Sequence, residues 1–215
     1  TGEVSLNLFG SYKIRTSNLM QSRVAFADLD GDQKPELIRF SHFDSEDNFK
    51  FKLTWQKNLS DLYHFQFGPE MLLFDSSGHC CLTPGLDVGD INNDGRPDIL
   101  ITLGDNGSTT VKIFYHLNNQ GIPSFQKFES IFYYRHFDPK ITDLDKDGFP
   151  DFVIFGKDYT FGVEREAYLW FYNPFREINP FKSQIRSTLL EVPSFMGYQG
   201  PVKIDYMNAD IRPEY

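Results

Sequence analysis

Carboxylates recur at a fixed spacing within a nine-residue segment of this chain. Its clearest copy begins at Asp143 and places Asp at positions 1, 3, 5 and 9, with Gly at position 6 and Pro at position 8. Four carboxylates in one tight turn repel one another unless a hard cation lies among them. Ca²⁺, which takes about six to eight oxygen ligands, suits such a set. The chemistry that this segment indicates is therefore metal binding.

The expected ligands are the side chains at positions 1, 3, 5 and 9 and the backbone carbonyl at position 7. They are Asp28, Asp30, Asp32, Lys34 and Glu36 in the first loop, Asp90, Asn92, Asp94, Arg96 and Asp98 in the second, and Asp143, Asp145, Asp147, Phe149 and Asp151 in the third. Lys34, Arg96 and Phe149 would contribute carbonyl oxygens. We expect about three Ca²⁺ sites.

The loop belongs to a longer internal repeat. Four copies lie about 60 residues apart, which is the spacing of a repeated supersecondary unit. Pro stands at position 8 of every copy, and position 2 is always apolar. The fourth copy is degraded because Tyr206 replaces the first carboxylate. It keeps only Asn208, Asp210 and Glu214 as candidate ligands, so we expect no complete fourth site.

Each loop lies between segments that favour β-strand. A short alternating segment precedes the loop and an apolar one follows it, as at residues 99–103. A third strand, rich in aromatic and β-branched residues, is predicted at 49–55, 111–117 and 167–172. A weaker fourth is predicted near 65–74, 125–133 and 181–192. No segment shows a capped helical periodicity, so we predict an all-β protein.

Repeated antiparallel units of four strands are typical of the blades of a β-propeller. We predict one propeller domain or fragment over residues 1–215, with complete blades at about 17–75, 82–134 and 137–193 and partial blades at 1–16 and 197–215. Because a propeller closes on itself, we expect the chain to continue beyond the given sequence. Trp55 and Trp170 lie in predicted third strands and are expected to pack between blades.

An EF-hand also opens with Asp-x-Asp-x-Asp-Gly and has to be tested as an alternative. It requires a bidentate Glu at position 12 and a helix on each side of the loop. Position 12 in this chain is Arg39, Ile101 or Ile154, and the flanking segments favour strand. These differences exclude an EF-hand and its dockerin relatives.

The segment 90–100 resembles the FG-GAP/VCBS repeat family, the integrin-α-type β-propellers, and 143–154 is nearly as similar. The segment 115–121, followed by Phe125, also resembles the turn after the family's third strand. The first copy departs from the pattern at Glu36, which replaces Asp, and at Gln33, where Gly is expected. Neither change removes a ligand, but Gln33 would be strained if this position requires a positive φ.

The resemblance implies metal loops on one face of the propeller and a protein or glycan partner on the opposite face. The opposite face would be built from the loops 41–48, 104–110 and 156–166 and the connections 75–85 and 134–139. We therefore expect a calcium-stabilised, non-catalytic module for extracellular protein interaction or adhesion, either secreted or on the extracellular side of a membrane protein. The alternatives are a carbohydrate-binding, lectin-like propeller and the propeller portion of a larger enzyme.

Composition excludes other classes of function. A net charge of −9 without a basic stripe argues against a nucleic-acid partner. No run of 18 apolar residues is present, so we expect no membrane insertion of this segment. The five histidines show no ligand spacing, and no nucleophile elbow or phosphate-binding loop occurs.

Asn58 and Asn106 begin glycosylation acceptor patterns. The adjacent Cys80 and Cys81 are expected to be ordinary thiols.

Overall fold

The computed structural model describes residues 19–45, 48–78, 85–105, 108–118, 121–132, 135–143, 146, 148–158 and 165–171. Within these residues the chain forms β-strands and no helix. The strands are β1 (Leu19–Ala27), β2 (Glu36–Ser45), β3 (Asn48–Gln56), β4 (Met71–Gly78), β5 (Gly85–Gly89), β6 (Asp98–Asp105), β7 (Ser108–Asn118), β8 (Ser124–Phe132), β9 (Arg135–Thr142), β10 (Asp151–Asp158) and β11 (Arg165–Phe171).

The strands form three antiparallel sheets in which every strand pairs with its neighbour in sequence. β1 to β4 form the first sheet, β5 to β8 the second, and β9 to β11 a three-stranded third sheet. This architecture confirms an all-β chain with antiparallel four-stranded sheets. It is consistent with propeller-like blades, in which consecutive hairpins build one small sheet after another.

The first two sheets pack face to face around an apolar core. Phe40, Leu53 and Trp55 of the first sheet are buried in one cluster with Ile99 and Ile101 of the second. These residues alternate along their strands, so each strand directs every second side chain into the core. Trp55 is 3% exposed in this cluster, which confirms its predicted place between sheets.

The second sheet is buried on its other face as well. Leu100, Ile113 and Tyr115 form a second cluster with Phe152 and Ile154 of the third sheet. A strand with both faces covered needs an unbroken apolar run rather than an alternating one. The consecutive apolar residues Ile99, Leu100 and Ile101 of β6 meet this requirement, and all three are fully buried.

The first strands of the three sheets lie next to one another. β5 packs against β1 on one side and against β9 on the other. Asp87 of β5 accepts a hydrogen bond of 2.7 Å from the backbone N–H of Ile141 in β9, and Arg23 of β1 pairs with Asp138 of β9 at 3.4 Å. A Cβ at Gly89 would lie 3.0 Å from Ile141, so a residue without a side chain permits this approach.

Two expectations about strand boundaries were wrong. In the first unit the fourth strand begins at Met71 rather than near Phe65, because residues 57–68 form a small hairpin closed by the Asn58–Phe67 bridge. In the ranges 41–48, 104–110 and 156–166, where loops were expected, all the described residues belong to strands. The backbone pairing extends to the last described residues of each hairpin, as in the pair formed by Asp105 and Ser108. Polar side chains do not interrupt it because the backbone forms these hydrogen bonds.

Several predicted features lie outside the described residues. They are the partial blades at 1–16 and 197–215, the strand near 181–192, the fourth loop at 206–214, the acceptor Asn106, and Cys80 and Cys81. None of the described segments forms an apolar helix of membrane-spanning length.

Candidate metal centre

Each acidic loop connects the first and second strands of its sheet. The first loop, residues 28–36, joins β1 to β2, the second, 90–98, joins β5 to β6, and the third, 143–151, joins β9 to β10. The acid at position 9 is the first residue of the returning strand in all three loops. The three loops therefore lie at the same end of their respective sheets.

The loop backbone is left-handed at two positions. At position 6 the φ angle is +68° at Gln33, +82° at Gly95 and +89° at Gly148. The structure thus confirms that this position requires a positive φ, and that Gln33 carries the strain that glycine avoids. Position 4 is left-handed as well, at Gly31, Asn93 (+56°) and Lys146 (+60°). This second left-handed position could not be read from the sequence because three different residue types occupy it.

The carboxylate at position 1 is the acceptor around which the loop winds. Asp28 accepts hydrogen bonds from the N–H groups of Gly31 at 2.7 Å and Gln33 at 2.8 Å. Asp90 accepts from Asp94 at 2.9 Å and Gly95 at 2.7 Å. The position 6 amide of the third loop, Gly148, likewise donates to Asp143 at 2.9 Å. Bonds of this kind fold Asp-rich segments into tight turns.

The acid at position 9 is buried beneath the loop. Glu36 and Asp98 are 0% exposed, and Asp151 is 1% exposed. Glu36 accepts a hydrogen bond from Leu29 N–H at 2.6 Å, and Asp98 accepts from Ile91 N–H at 2.9 Å. Asp98 also accepts from the backbone N–H of His116 in β7 at 2.8 Å. This acid therefore ties position 2 of the loop to the strands.

Burial makes these carboxylates costly to ionise. It raises the pKa of Asp98 to about 7, against the hydrogen bonds from His116 and Ile91, which lower it. Burial also raises the pKa of Glu36, and the neighbouring charges of Asp30 and Asp32 add to the effect. A cation beside these groups would offset the cost of burial and the repulsion between the acids, since an opposite charge favours the ionised form.

In the first loop three carboxylates converge. Oxygen atoms of Asp28, Asp30 and Glu36 lie within 4.8 Å of one another. Oε1 of Glu36 is buried and makes no hydrogen bond of normal geometry with the described residues, although the backbone N–H of Asn58 is close enough to lower the pKa of this carboxyl. Buried polar atoms are nearly always paired, so a buried carboxylate with an oxygen left open and two more carboxylates nearby has the disposition of a metal ligand. The donor set is made of hard oxygens, which fits Ca²⁺ rather than a softer metal.

The second loop is arranged differently. Asp90, Asp94 and Asp98 do not converge to the distance seen in the first loop. Asp94 forms an ion pair with Arg96 and accepts a hydrogen bond of 2.9 Å from the side chain of Asn92. Arg96 also donates from Nε to the carbonyl of His116 at 2.8 Å, which holds its guanidinium against the loop. The carboxylate at position 5, Asp94, is therefore paired with donors of the protein itself.

The third loop is described only in part. Asp143, Phe149 and Asp151 lie within the described residues, and Asp145 and Asp147 lie outside them. The two described features that match the other loops are the left-handed φ angles and the hydrogen bond from Gly148 to Asp143.

One residue of the first loop's surroundings had not been predicted. Lys57, the residue that follows β3, forms ion pairs with Asp30 and with Asp32, the latter at 3.2 Å. No spacing rule connects a lysine to a loop more than twenty residues earlier. In strand register Lys57 corresponds to Tyr115 of the second unit, since each follows the residue that pairs with the first position after its loop.

Comparison with known families matches residues 90–154 to the FG-GAP-like repeat. The match begins at Asp90, the first residue of the second loop, and ends at Ile154, in the strand that follows the third loop. It covers one full repeat interval with a loop at each end, and it confirms the resemblance drawn from the loop residues. No curated protein sequence matches the chain.

Proposed function

We propose, taking the FG-GAP-like repeat at residues 90–154 as the premise, that the chain is a calcium-stabilised β-propeller module. The module acts by recognition, as an extracellular protein-interaction or adhesion unit, and performs no catalysis. The observation that carries the calcium assignment is the convergence of the carboxylates of Asp28, Asp30 and the buried Glu36 to within 4.8 Å of one another.

The position of the loops explains why calcium would stabilise the fold. Each loop joins two paired strands, and its ninth residue is already part of the second strand. A cation held between position 1 and position 9 would join the two ends of the loop. It would also neutralise carboxylates that burial makes costly to ionise. Calcium in this role has a structural function, and the acids of the loops are its ligands rather than acid–base groups.

The proposed calcium sites favour an extracellular location. Extracellular calcium modules commonly bind with dissociation constants of about 10⁻⁴ to 10⁻³ M, which only extracellular fluid can saturate. The first loop offers carboxylates together with competing protein contacts, an arrangement suited to moderate affinity. We therefore place the chain outside the cell, either secreted or on the outer side of a membrane protein.

The partner surface we propose is the end of the sheets opposite the acidic loops. The hairpins β2–β3, β6–β7 and β10–β11 turn at this end, whereas all three acidic loops turn at the other. Calcium would rigidify one end, and the opposite hairpins would be free to vary in sequence and bind a protein or glycan.

Of the two glycosylation patterns, Asn58 already donates its side-chain amide to the carbonyl of Pro35 at 3.0 Å, so a glycan there would cost this bond.

A glycan is the second candidate partner, and one observation favours a binding place for it at the acidic-loop end of the sheets, where the hairpin 57–68 contacts the first loop. Tyr63 is 84% exposed and Phe65 is 68% exposed in the hairpin 57–68. Exposed aromatic rings are suited to stacking on apolar faces, including those of sugar rings. A glycan array with the protein and with the variant Tyr63→Ala plus Phe65→Ala tests this candidate. Binding that both proteins share equally would argue against it.

Thermal unfolding tests the calcium assignment. We expect millimolar Ca²⁺ to raise the melting temperature relative to EDTA, and Mg²⁺ to have a smaller effect because it demands a tighter octahedral site. Asp28→Asn plus Asp30→Asn should reduce the calcium-dependent shift. Asp75→Asn, which changes an exposed acid of β4 outside the loops, should leave it unchanged. An identical melting temperature in EDTA and calcium would refute the proposal.

A further inference from the structure

A lysine side chain forms ion pairs with two of the expected calcium ligands of the first loop. The ammonium of Lys57 is paired with Oδ2 of Asp30 and lies 3.2 Å from Oδ2 of Asp32. The side chain of Asp30 is 4% exposed, so its charge is largely removed from water. The third and fifth ligand positions of this loop are therefore already bound to a positive charge that the protein itself supplies.

The backbone holds Lys57 in this place. Gln56, the residue before it, ends β3 and pairs with Leu37 at the beginning of β2. The carbonyl of Lys57 accepts a hydrogen bond of 2.8 Å from Gly68, which closes the hairpin 57–68. Because both neighbours in the chain are fixed, the lysine stem starts from a defined point beside the loop.

The second unit has no equivalent ammonium. Leu37 pairs with Gln56 in the first sheet, and Ile99, at the same place after its loop, pairs with Phe114 in the second. The residue corresponding to Lys57 is thus Tyr115, which is 3% exposed and packs against Phe128. A lysine beside the loop is therefore a property of the first unit and not a requirement of the repeat.

We propose that Lys57 is the resident counter-ion of the first loop, and that Ca²⁺ has to displace its ammonium from Asp30 in order to bind there. This inference rests on the proposed function, since it assumes that the loops take calcium. An ammonium and a divalent cation on the same carboxylate repel one another, so each weakens the binding of the other. Lys57 therefore lowers the calcium affinity of the first loop while it neutralises the metal-free form.

Displacement of Lys57 would weaken the attachment of the hairpin 57–68 to the first loop. Two other contacts join this hairpin to the loop, from Lys34 Nζ to the carbonyl of Ser60 at 2.9 Å and from Asn58 to the carbonyl of Pro35 at 3.0 Å. The same hairpin exposes Leu62 at 93% of its surface. Calcium binding would remove one of the connections that hold this apolar segment on the loop, and the hairpin would become more mobile.

Calcium titration calorimetry on the full chain tests the proposal. Lys57→Met should raise the affinity of one site by up to about fivefold, the effect of losing a competing ion pair of ordinary strength. Lys57→Arg keeps the charge and should retain the wild-type affinity at that site. Lys50→Met, which changes an exposed lysine of β3, is the matched control and should change nothing. Adding Asp28→Asn to Lys57→Met should abolish the gain and so assign it to the first loop.

Hydrogen exchange provides a second measurement. In the wild type, amides of residues 57–68 should exchange faster with calcium than with EDTA, and in Lys57→Met this difference should disappear. Calcium binding by the wild type with no gain in Lys57→Met would overturn the role of Lys57 and leave the calcium assignment intact. No calcium binding by any variant would overturn both. Cooperative urea unfolding of each variant in EDTA establishes that it is folded.

Discussion

The backbone N–H of Leu29 donates a hydrogen bond of 2.6 Å to Oε2 of Glu36, and this bond closes the first acidic loop between its second and ninth residues. Both side chains are fully buried. Ile91 and Asp98 repeat the relationship in the second loop at 2.9 Å. An apolar side chain anchored in the core and a buried carboxylate thus hold the first and second loops on their sheets.

The first prediction concerns the charge of Glu36. Glu36→Gln keeps an oxygen that can accept from Leu29 but removes a negative charge that burial makes costly. At pH 8 in EDTA the variant should be at least as stable as the wild type. In calcium the order should reverse, since the loss of a carboxylate ligand should weaken calcium binding at this loop at least about tenfold. Urea unfolding in the two buffers measures both effects, and a loss of stability of equal size in both would contradict the prediction.

The second prediction concerns the left-handed residue at position 6. Gln33→Gly should stabilise the chain by about 0.5–1 kcal/mol, because glycine adopts φ near +68° without the strain of a side chain. The reverse change in the second loop, Gly95→Gln, should destabilise it by about 1 kcal/mol. A Cβ at Gly95 meets no atom within 4 Å, so this cost would come from the backbone alone. Urea unfolding measures both.

Gly68→Ala is the control for that comparison. A Cβ at Gly68 would lie 3.5 Å from Leu59, an ordinary contact, and its φ is not left-handed. We expect a change below about 0.5 kcal/mol. If Gln33→Gly destabilised the chain, the contacts of the Gln33 side chain would outweigh the backbone strain at position 6.

The third prediction compares the contributions of Asp87 and Asp138 to stability. The contacts of each acid join the first strands of two sheets. Asp87 accepts from the backbone N–H of Ile141 at 2.7 Å and lies 3.3 Å from the ammonium of Lys140. Asp87→Ala should destabilise the chain by about 1–3 kcal/mol, because it leaves a part-buried amide without its acceptor. Asp87→Asn can still accept that bond and should cost less.

Asp138 provides the comparison. Its ion pair with Arg23 joins two side chains that are each more than 40% exposed. Exposed pairs contribute little, so Asp138→Ala should cost below about 1 kcal/mol. Chemical denaturation of the three variants under one condition ranks them. Equal losses for Asp87→Ala and Asp138→Ala would show that the amide bond is unimportant.

The fourth prediction concerns pH. Burial lowers the pKa of the His116 imidazole, which is 1% exposed and stacked on Phe125 at 5.0 Å. The unfolded chain therefore binds a proton near pH 6.5 that the folded chain does not bind until lower pH. The contribution of His116 to stability must therefore fall as the pH drops below about 6.5, by up to about 1.4 kcal/mol per pH unit, whereas Asp98, whose pKa burial raises to about 7, contributes with the opposite sign in this range.

His116→Leu removes this group, and with it the contribution of His116 to the slope of the unfolding free energy against pH. The free energy of unfolding of the wild type and the variant, measured in urea between about pH 7.5 and 5, gives the comparison. The leucine variant can be less stable at neutral pH because the stacking contact is lost, so the slope is the informative quantity. Parallel slopes would show that His116 does not contribute to acid sensitivity.

Much of the architecture could be predicted from the sequence because it depends on local patterns. Alternation in the strands, the three consecutive apolar residues 99–101 of β6 and the Asp-Gly-Pro spacing of the loops each specify short-range geometry. The prediction of a positive φ at Gln33 succeeded for the same reason, since it came from aligning that residue with Gly95 and Gly148. The hairpin 57–68 was missed because its closing pair, Asn58 and Phe67, carries no turn signature that sets it apart from a strand.

The sequence by itself determined the repeat, its strands and the identity of the acids. The tertiary structure decided which acids are buried, which of them converge, and which cation of the protein they meet. Glu36 and Asp32 are two acids of the same loop, yet one lies beneath the sheet ends with an unpaired oxygen and the other is paired at the surface with Lys57. Burial and ion pairing depend on residues distant in sequence, and only folding brings these residues together.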